Sequence, residues 1–200
     1  MTVIKAIIFD LNKVLVTFDK TDKSDNEYKN KLGISRSEFW KDRDKILDDY
    51  TLGKITLDEF LLHQLKKSNL PESQLPIAHE LHEKNIELVE GIIPFLETLK
   101  KKYKLILMAG EGKESLALKL DNLDISKYFL KIYSTHISKM RKTETDFYSF
   151  ILKDLNLKQY EVLFIDDQLR YIEAAQRVGI KTIVFENVYQ LEKDLASILN

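Results

Sequence analysis

Apolar residues follow two rhythms along this chain. The first is a short run closed by polar residues, as in Ile4-Lys5-Ala6-Ile7-Ile8-Phe9-Asp10 and Val162-Leu163-Phe164-Ile165-Asp166-Asp167. Such runs read as buried strands of a parallel sheet. The pattern predicts strands over Val3 to Phe9, Tyr103 to Met108, Leu130 to Tyr133, Val162 to Ile165 and Ile180 to Phe185. Helical spacing falls between them: Ile92 to Lys101, Lys113 to Leu120, Thr143 to Leu155, Leu169 to Val178 and Tyr189 to Leu199. Thr143 and Asp146 read as a capping box, and Gly179 as a helix stop. Strand and helix alternate, so the expected class is α/β: a Rossmann-like parallel sheet with helices on both faces.

The second rhythm fills Asp19 to Asn85. Charges are dense there, and apolar residues recur at helical intervals. Ser35-Arg36-Ser37-Glu38 reads as a capping box leading to Phe39, Ile46 and Leu47; Thr56 with Glu59 reads as another, leading to Phe60, Leu61 and Leu65. A third helix is expected over Leu75 to Leu88. Gly33, Gly53, Pro71 and Pro76 punctuate the pieces. No strand pattern occurs in this stretch, and Leu11 to Phe18 reads as a loop against the sheet edge. The expected organisation is an α/β core of residues 1–18 and 87–200 with an inserted all-helical cap, residues 19–86.

Composition narrows the chemistry. Of 200 residues 44% are hydrophobic, enough for a full core, and the formal net charge of -1 gives no electrostatic case for nucleic acid or an anionic membrane. No cysteine occurs, which removes disulfides, thiolate nucleophiles and cysteine-zinc sites. The N-terminus lacks a signal-peptide pattern and no run has the length of a membrane span, so a cytoplasmic protein is expected. His63, His79, His82 and His136 lack zinc spacing, and His79 and His82 read as surface residues. Phe39 and Trp40 read as packing within the insertion.

Four groups fall at or just past strand ends: Asp10 with Asn12, Ala109-Gly110, Lys142, and Asp166-Asp167. Ligands of open α/β sheets bind at the carboxyl edge, where all four can meet. A lone strand-end Asp is more often a turn or cap residue. Three carboxylates at one rim repel each other unless a cation sits among them. Asp10 suits a nucleophile that forms an acyl phosphate. Asp166 and Asp167 suit Mg²⁺, although Asp167 also fits a cap for the helix at Leu169. Lys142 adds a positive charge, unless it is one more solvated member of Lys139-Met140-Arg141-Lys142. Gly110 and Gly112 lead into a helix whose free amides can hold an anion.

With these residues in order, the chain resembles the haloacid dehalogenase-like hydrolase superfamily, in its phosphatase branch with a helical cap after the first motif. Phe9-Asp10-Leu11-Asn12-Lys13-Val14-Leu15-Val16 is similar to the first motif and Leu105-Ile106-Leu107-Met108-Ala109-Gly110 to the second. Lys142-Thr143 stands for the third, and Phe164-Ile165-Asp166-Asp167 through Ala175 for the fourth. The resemblance implies an aspartyl-phosphate on Asp10, with Mg²⁺ held by Asp10, the Asn12 carbonyl, Asp166 and Asp167. It implies phosphate binding by Lys142 and the Ala109-Gly110 backbone, and a small phosphorylated metabolite as substrate. The departures are specific. Asn12 stands where the family has its general-acid Asp, Ala109 where it has a Ser or Thr hydroxyl, Gly110 where Asn is usual, and Tyr171 where Asn follows the acidic pair. Glu111 adds a negative charge beside the phosphate cradle. The expectation is weak turnover favouring good leaving groups. The rival is a catalytically silent protein that binds a ligand or partner, and a metal-free dehalogenase is disfavoured by the paired acids.

Overall fold

A computed structural model describes residues 4–18, 22–82, 84 and 86–199. Its strands are β1 (Ala6–Phe9), β2 (Val16–Phe18), β3 (Ile86–Leu88), β4 (Lys104–Ala109), β5 (Lys131–Ser134), β6 (Val162–Asp166) and β7 (Lys181–Val184). Five form a parallel sheet in the order β5-β4-β1-β6-β7, with β1 central. Both faces of β1 are covered, which is why its sequence is apolar throughout rather than alternating. Ile7 and Phe9 point to one cluster, packed by α6 (Ile92–Leu99), α7 (Lys113–Leu123) and α11 (Val188–Leu199). Ala6 and Ile8 point to the other, packed by α9 (Thr145–Leu155) and α10 (Leu169–Arg177). The short α8 (Thr135–Ser138) follows β5. None of the described helices is long and apolar enough to cross a membrane.

The second rhythm builds a separate helical layer: α1 (Asp22–Leu32), α2 (Arg36–Phe39), α3 (Asp44–Thr51), α4 (Leu57–Lys67) and α5 (Leu75–Leu81). Its own core holds Tyr28, Phe39, Tyr50, Phe60, Leu61 and Leu65. Trp40 stacks on Phe60 at 5.7 Å, and Phe60 stacks on Tyr50 at 5.0 Å. The capping boxes of Ser35 with Glu38 and Thr56 with Glu59 are both present. The phenyl and indole packing expected for Phe39 and Trp40 is therefore found.

Three local expectations are corrected. The third helix of the insertion ends at Leu81, and Ile86–Leu88 is a strand. That strand pairs antiparallel with β2, inside the stretch read as a loop. Each strand spans three residues, too short to set a period of its own. The Thr143 capping box does not form: the helix starts at Thr145 with Glu144 as N-cap. Thr143 is consumed by a turn in which the Glu144 amide donates to the Arg141 carbonyl. Elsewhere the expected ends coincide with the observed ones or move by up to three residues. Val3, Asp19 and Asn85, used above as boundaries, lie outside the described residues.

Candidate active site

The sheet delivers its carboxylates to one rim. Asp10 follows β1, and its amide donates to the Ile165 carbonyl at 3.0 Å, which ties it to the end of β6. Asp166 closes β6 and Asp167 follows. The Arg141–Glu144 turn carries Lys142 inward until its side chain is 3% exposed, and its Nζ reaches Asp10 Oδ1 at 2.6 Å and Asp166 Oδ2 at 2.5 Å. The lysine is thus not a solvated member of its basic cluster. Tyr148 donates its hydroxyl to the Lys142 carbonyl at 2.8 Å, fixing the turn. Gly110 leaves room for this approach: a Cβ there would lie 3.3 Å from Lys142 Cδ, a tight contact. The Tyr171 ring lies 4.5 Å from Lys142 Nζ and forms a cation–π contact with it.

Oxygens of Asp10, Asp166 and Asp167 lie within 4.8 Å of one another. Asp166 Oδ1 accepts the Gln168 amide at 2.9 Å, and Asp167 Oδ2 pairs with Lys13 at 3.1 Å. Asp167 Oδ1 is buried with no hydrogen-bond partner among the described residues. Asp167 makes no cap for α10, whose N-cap is Gln168 without a side-chain bond. An orphaned carboxylate oxygen beside two buried carboxylates is the donor set of a hard divalent cation. Burial pushes the Asp10 carboxyl up to about 7, with the Asp166 charge adding to the shift and Lys142 opposing it. Asp166 is raised by burial in the same way. Burial works against the Lys142 ammonium, but the two carboxylates outweigh it and hold its pKa above the usual lysine range.

The Asn12 side chain is held by two charged neighbours. Its Nδ2 donates to Glu111 Oε1, and its Oδ1 accepts from Lys119 Nζ at 2.9 Å. Lys119 also pairs with Glu111 Oε1 at 2.9 Å. Ala109 ends β4 fully buried, and its methyl offers no hydrogen bond.

The helical layer closes over this region. The Tyr50 ring rests on Gly112, where an added Cβ would overlap it. Its hydroxyl lies 2.8 Å from Ser115 Oγ and accepts the Ser115 amide at 3.2 Å. One of the first amides of α7, which starts after Gly112, is therefore taken by a phenol rather than left for an anion. His82 Nε2 lies 2.7 Å from Ser115 Oγ. That contact places His82 at the seam with α7 rather than on the open surface, and burial, with Lys119 assisting, lowers its pKa to about 3. His79 does lie at the surface, paired with Asp58. Further along the seam, Thr135 donates to the Thr51 carbonyl at 2.7 Å, and Lys139 Nζ donates to Leu52 O at 2.9 Å and Gly53 O at 3.1 Å.

Sequence reasoning reached Asp10, Asn12, Ala109, Gly110, Lys142, Asp166 and Asp167, all of which lie at this rim. It missed Lys119, Tyr50, His82 and Ser115. None of them ends a strand or belongs to a spaced motif, so no local signal marked them.

The sequence model described as haloacid dehalogenase-like hydrolase matches residues 4–185. A drimenol cyclase of Aspergillus calidoustus is 24% identical over 199 residues, 98% of this chain, which spans only 36% of that protein's length. A D-ribitol-5-phosphate phosphatase of Bacteroides thetaiotaomicron is 23% identical and is matched over 98% of this chain and 99% of its own. A haloacid dehalogenase-family enzyme of the same bacterium, solved with magnesium and inorganic phosphate, superposes with a TM-score of 0.72 at 21% identity. That match covers 92% of this chain and 96% of the other.

Proposed function

The chain belongs to the haloacid dehalogenase-like hydrolase family, and on that premise we propose that it is a Mg²⁺-dependent phosphohydrolase of a small phosphorylated metabolite. The observation that carries the reading is the trio of carboxylates, two of them buried, with Lys142 between those two and an Asp167 oxygen that has no partner among the described residues. Asp10 is the nucleophile: its carboxylate oxygen bonds to phosphorus as the leaving oxygen departs, giving an aspartyl-phosphate that water then hydrolyses. Lys142 holds Asp10 in one orientation and offsets incoming phosphate charge. Asp10, the Asn12 carbonyl, Asp166 and Asp167 would hold the ion. When bound, Mg²⁺ supplies charge neutralisation for the phosphoryl group. The backbone at Ala109 and Gly110 completes the phosphate grip without a hydroxyl. Helices α1 to α5 act as the cap, residues 19–86 in this reading, and choose the substrate. The relative that acts on a sugar-alcohol phosphate and the structural neighbour solved with magnesium and phosphate both support the class.

Asn12 gives the reading its direction. An amide N–H is too weakly acidic to give up its proton, and loss of acid-base assistance costs about 10²–10⁴-fold in rate. Alkyl phosphates suffer most, because an alkoxide leaves poorly without a proton. A screen of acyl, aryl and sugar phosphates, with and without Mg²⁺, tests this. Mg²⁺-dependent hydrolysis that favours acyl and aryl over sugar phosphates is expected. No turnover on any of them would favour the silent, ligand-binding alternative.

A further inference from the structure

Asn12, two residues after Asp10, forms a closed ring of three contacts with Glu111 and Lys119. Glu111 Oε1 accepts from both Asn12 Nδ2 and Lys119 Nζ, and Lys119 Nζ also donates to Asn12 Oδ1. The Lys119 side chain is fully enclosed and that of Glu111 nearly so. The Phe18 ring lies 5.0 Å from the ammonium. A buried ion pair is a poor source of stability, since packed apolar residues in its place often do as well or better. Its presence here has another consequence. A carboxylate only accepts and an ammonium only donates. The pair therefore allows the Asn12 amide a single orientation, NH₂ toward Glu111 and oxygen toward Lys119. Asp at this position would set one carboxylate against another. Once these bonds are made, Nδ2 still carries one N–H.

We propose that Glu111 and Lys119 are positioning residues that lock Asn12 as a fixed hydrogen-bond donor to the oxygen leaving phosphorus, which makes acyl and aryl phosphates the substrate class of this site. The inference rests on the phosphohydrolase reading. In the step it describes, the Asp10 oxygen–phosphorus bond forms as the bond from phosphorus to the leaving oxygen breaks. The electron pair stays on that oxygen, which departs as a carboxylate or phenolate while the Asn12 N–H steadies its charge. No proton changes hands, so the matched set of Asn12, Glu111 and Lys119 is suited to leaving groups that need none.

Two readouts test the lock. The first is the ¹⁵N-resolved side-chain amide of Asn12, identified as the pair of signals lost in Asn12→Ala. In the wild type its two protons should be widely split, one of them shifted downfield by the carboxylate and slow to exchange. In Glu111→Gln, whose neutral oxygen is a weaker acceptor, the splitting should shrink toward that of an ordinary asparagine. The second is kcat and KM over aryl phosphates of graded phenol acidity, with each variant's rate normalised to its folded fraction. Glu111→Gln and Lys119→Met should lower kcat about 10-fold on the poorest leaving groups, less on the best, with KM little changed. Either single change strands a buried charge, so the double variant Glu111→Gln/Lys119→Met is measured beside them and should show the same graded loss. A loss uniform across leaving groups, or Asn12 amide protons at ordinary asparagine shifts in an active wild type, overturns the proposal alone. A locked amide in a protein without turnover on any phosphate, with or without Mg²⁺, overturns the phosphohydrolase reading and the role given to the lock with it.

Discussion

Replacing Lys142 by Met would leave Asp10 and Asp166 buried and facing each other without their shared ammonium. Stranding a buried charge in this way costs about 3–5 kcal/mol. Lys142→Met should lower the urea midpoint accordingly, and Mg²⁺ should restore more stability to the variant than it adds to the wild type, because the ion replaces a lost cation. A Mg²⁺ response no larger than the wild type's would count against a common carboxylate site. The nucleophile in the proposed reaction is tested more simply: Asp10→Asn should cut turnover by more than about 10³-fold in a phosphate-release assay. Asp10 and Asp166 were legible because a strand end fixes where a side chain goes before any tertiary detail is known, whereas Lys142 lies in a turn beyond α8 and not at the end of β5, so only its motif marked it. Lys119 was not legible. On paper it is one lysine among the charges of Lys113 to Leu123, and only the packing of Phe18, Asn12 and Glu111 around it reveals an enclosed cation. His82 misled in the same way, since helical spacing beside His79 cannot tell solvent from a seam.

At the level of elements, α3 and α7 meet through Tyr50 and Gly112. The φ of Gly112 is -67°, ordinary for any residue, so glycine is required there by the closeness of the ring and not by backbone strain. Gly112→Ala should cost about 1–3 kcal/mol by overpacking, and a second change, Tyr50→Ala, should remove most of that penalty, giving strong non-additivity in a double-mutant cycle. The same seam should sense pH through His82. Its folded pKa, about 3, lies below the ordinary histidine value of 6.5, so only the unfolded chain binds the proton between these values. The contribution is fully present above about 6.5, is lost as pH falls, and changes no further below about 3. Melting curves of wild type and His82→Gln should therefore converge as pH falls through this window, whereas a constant gap would contradict the seam placement. Strands of the main sheet and both capping boxes of the insertion could be read locally, because each carries its signal within a few residues. The β2–β3 ribbon could not, since its pairing joins residues about seventy positions apart and neither partner alternates long enough to announce itself.

Taken whole, the molecule sets one rim of a parallel sheet beneath a helical layer that is fastened to it by hydrogen bonds from Tyr50, His82, Thr135 and Lys139. The central claim is that the three carboxylates of the rim share a divalent ion and a phosphoryl group. Beryllium fluoride with Mg²⁺ mimics the phosphorylated Asp10, and a ligand that binds only the folded chain raises its melting temperature by mass action. The account predicts a clear rise in wild type when both are present, little with fluoride alone, and a much smaller rise in Asp10→Asn. No rise in wild type, or an equal rise in Asp10→Asn, would contradict it.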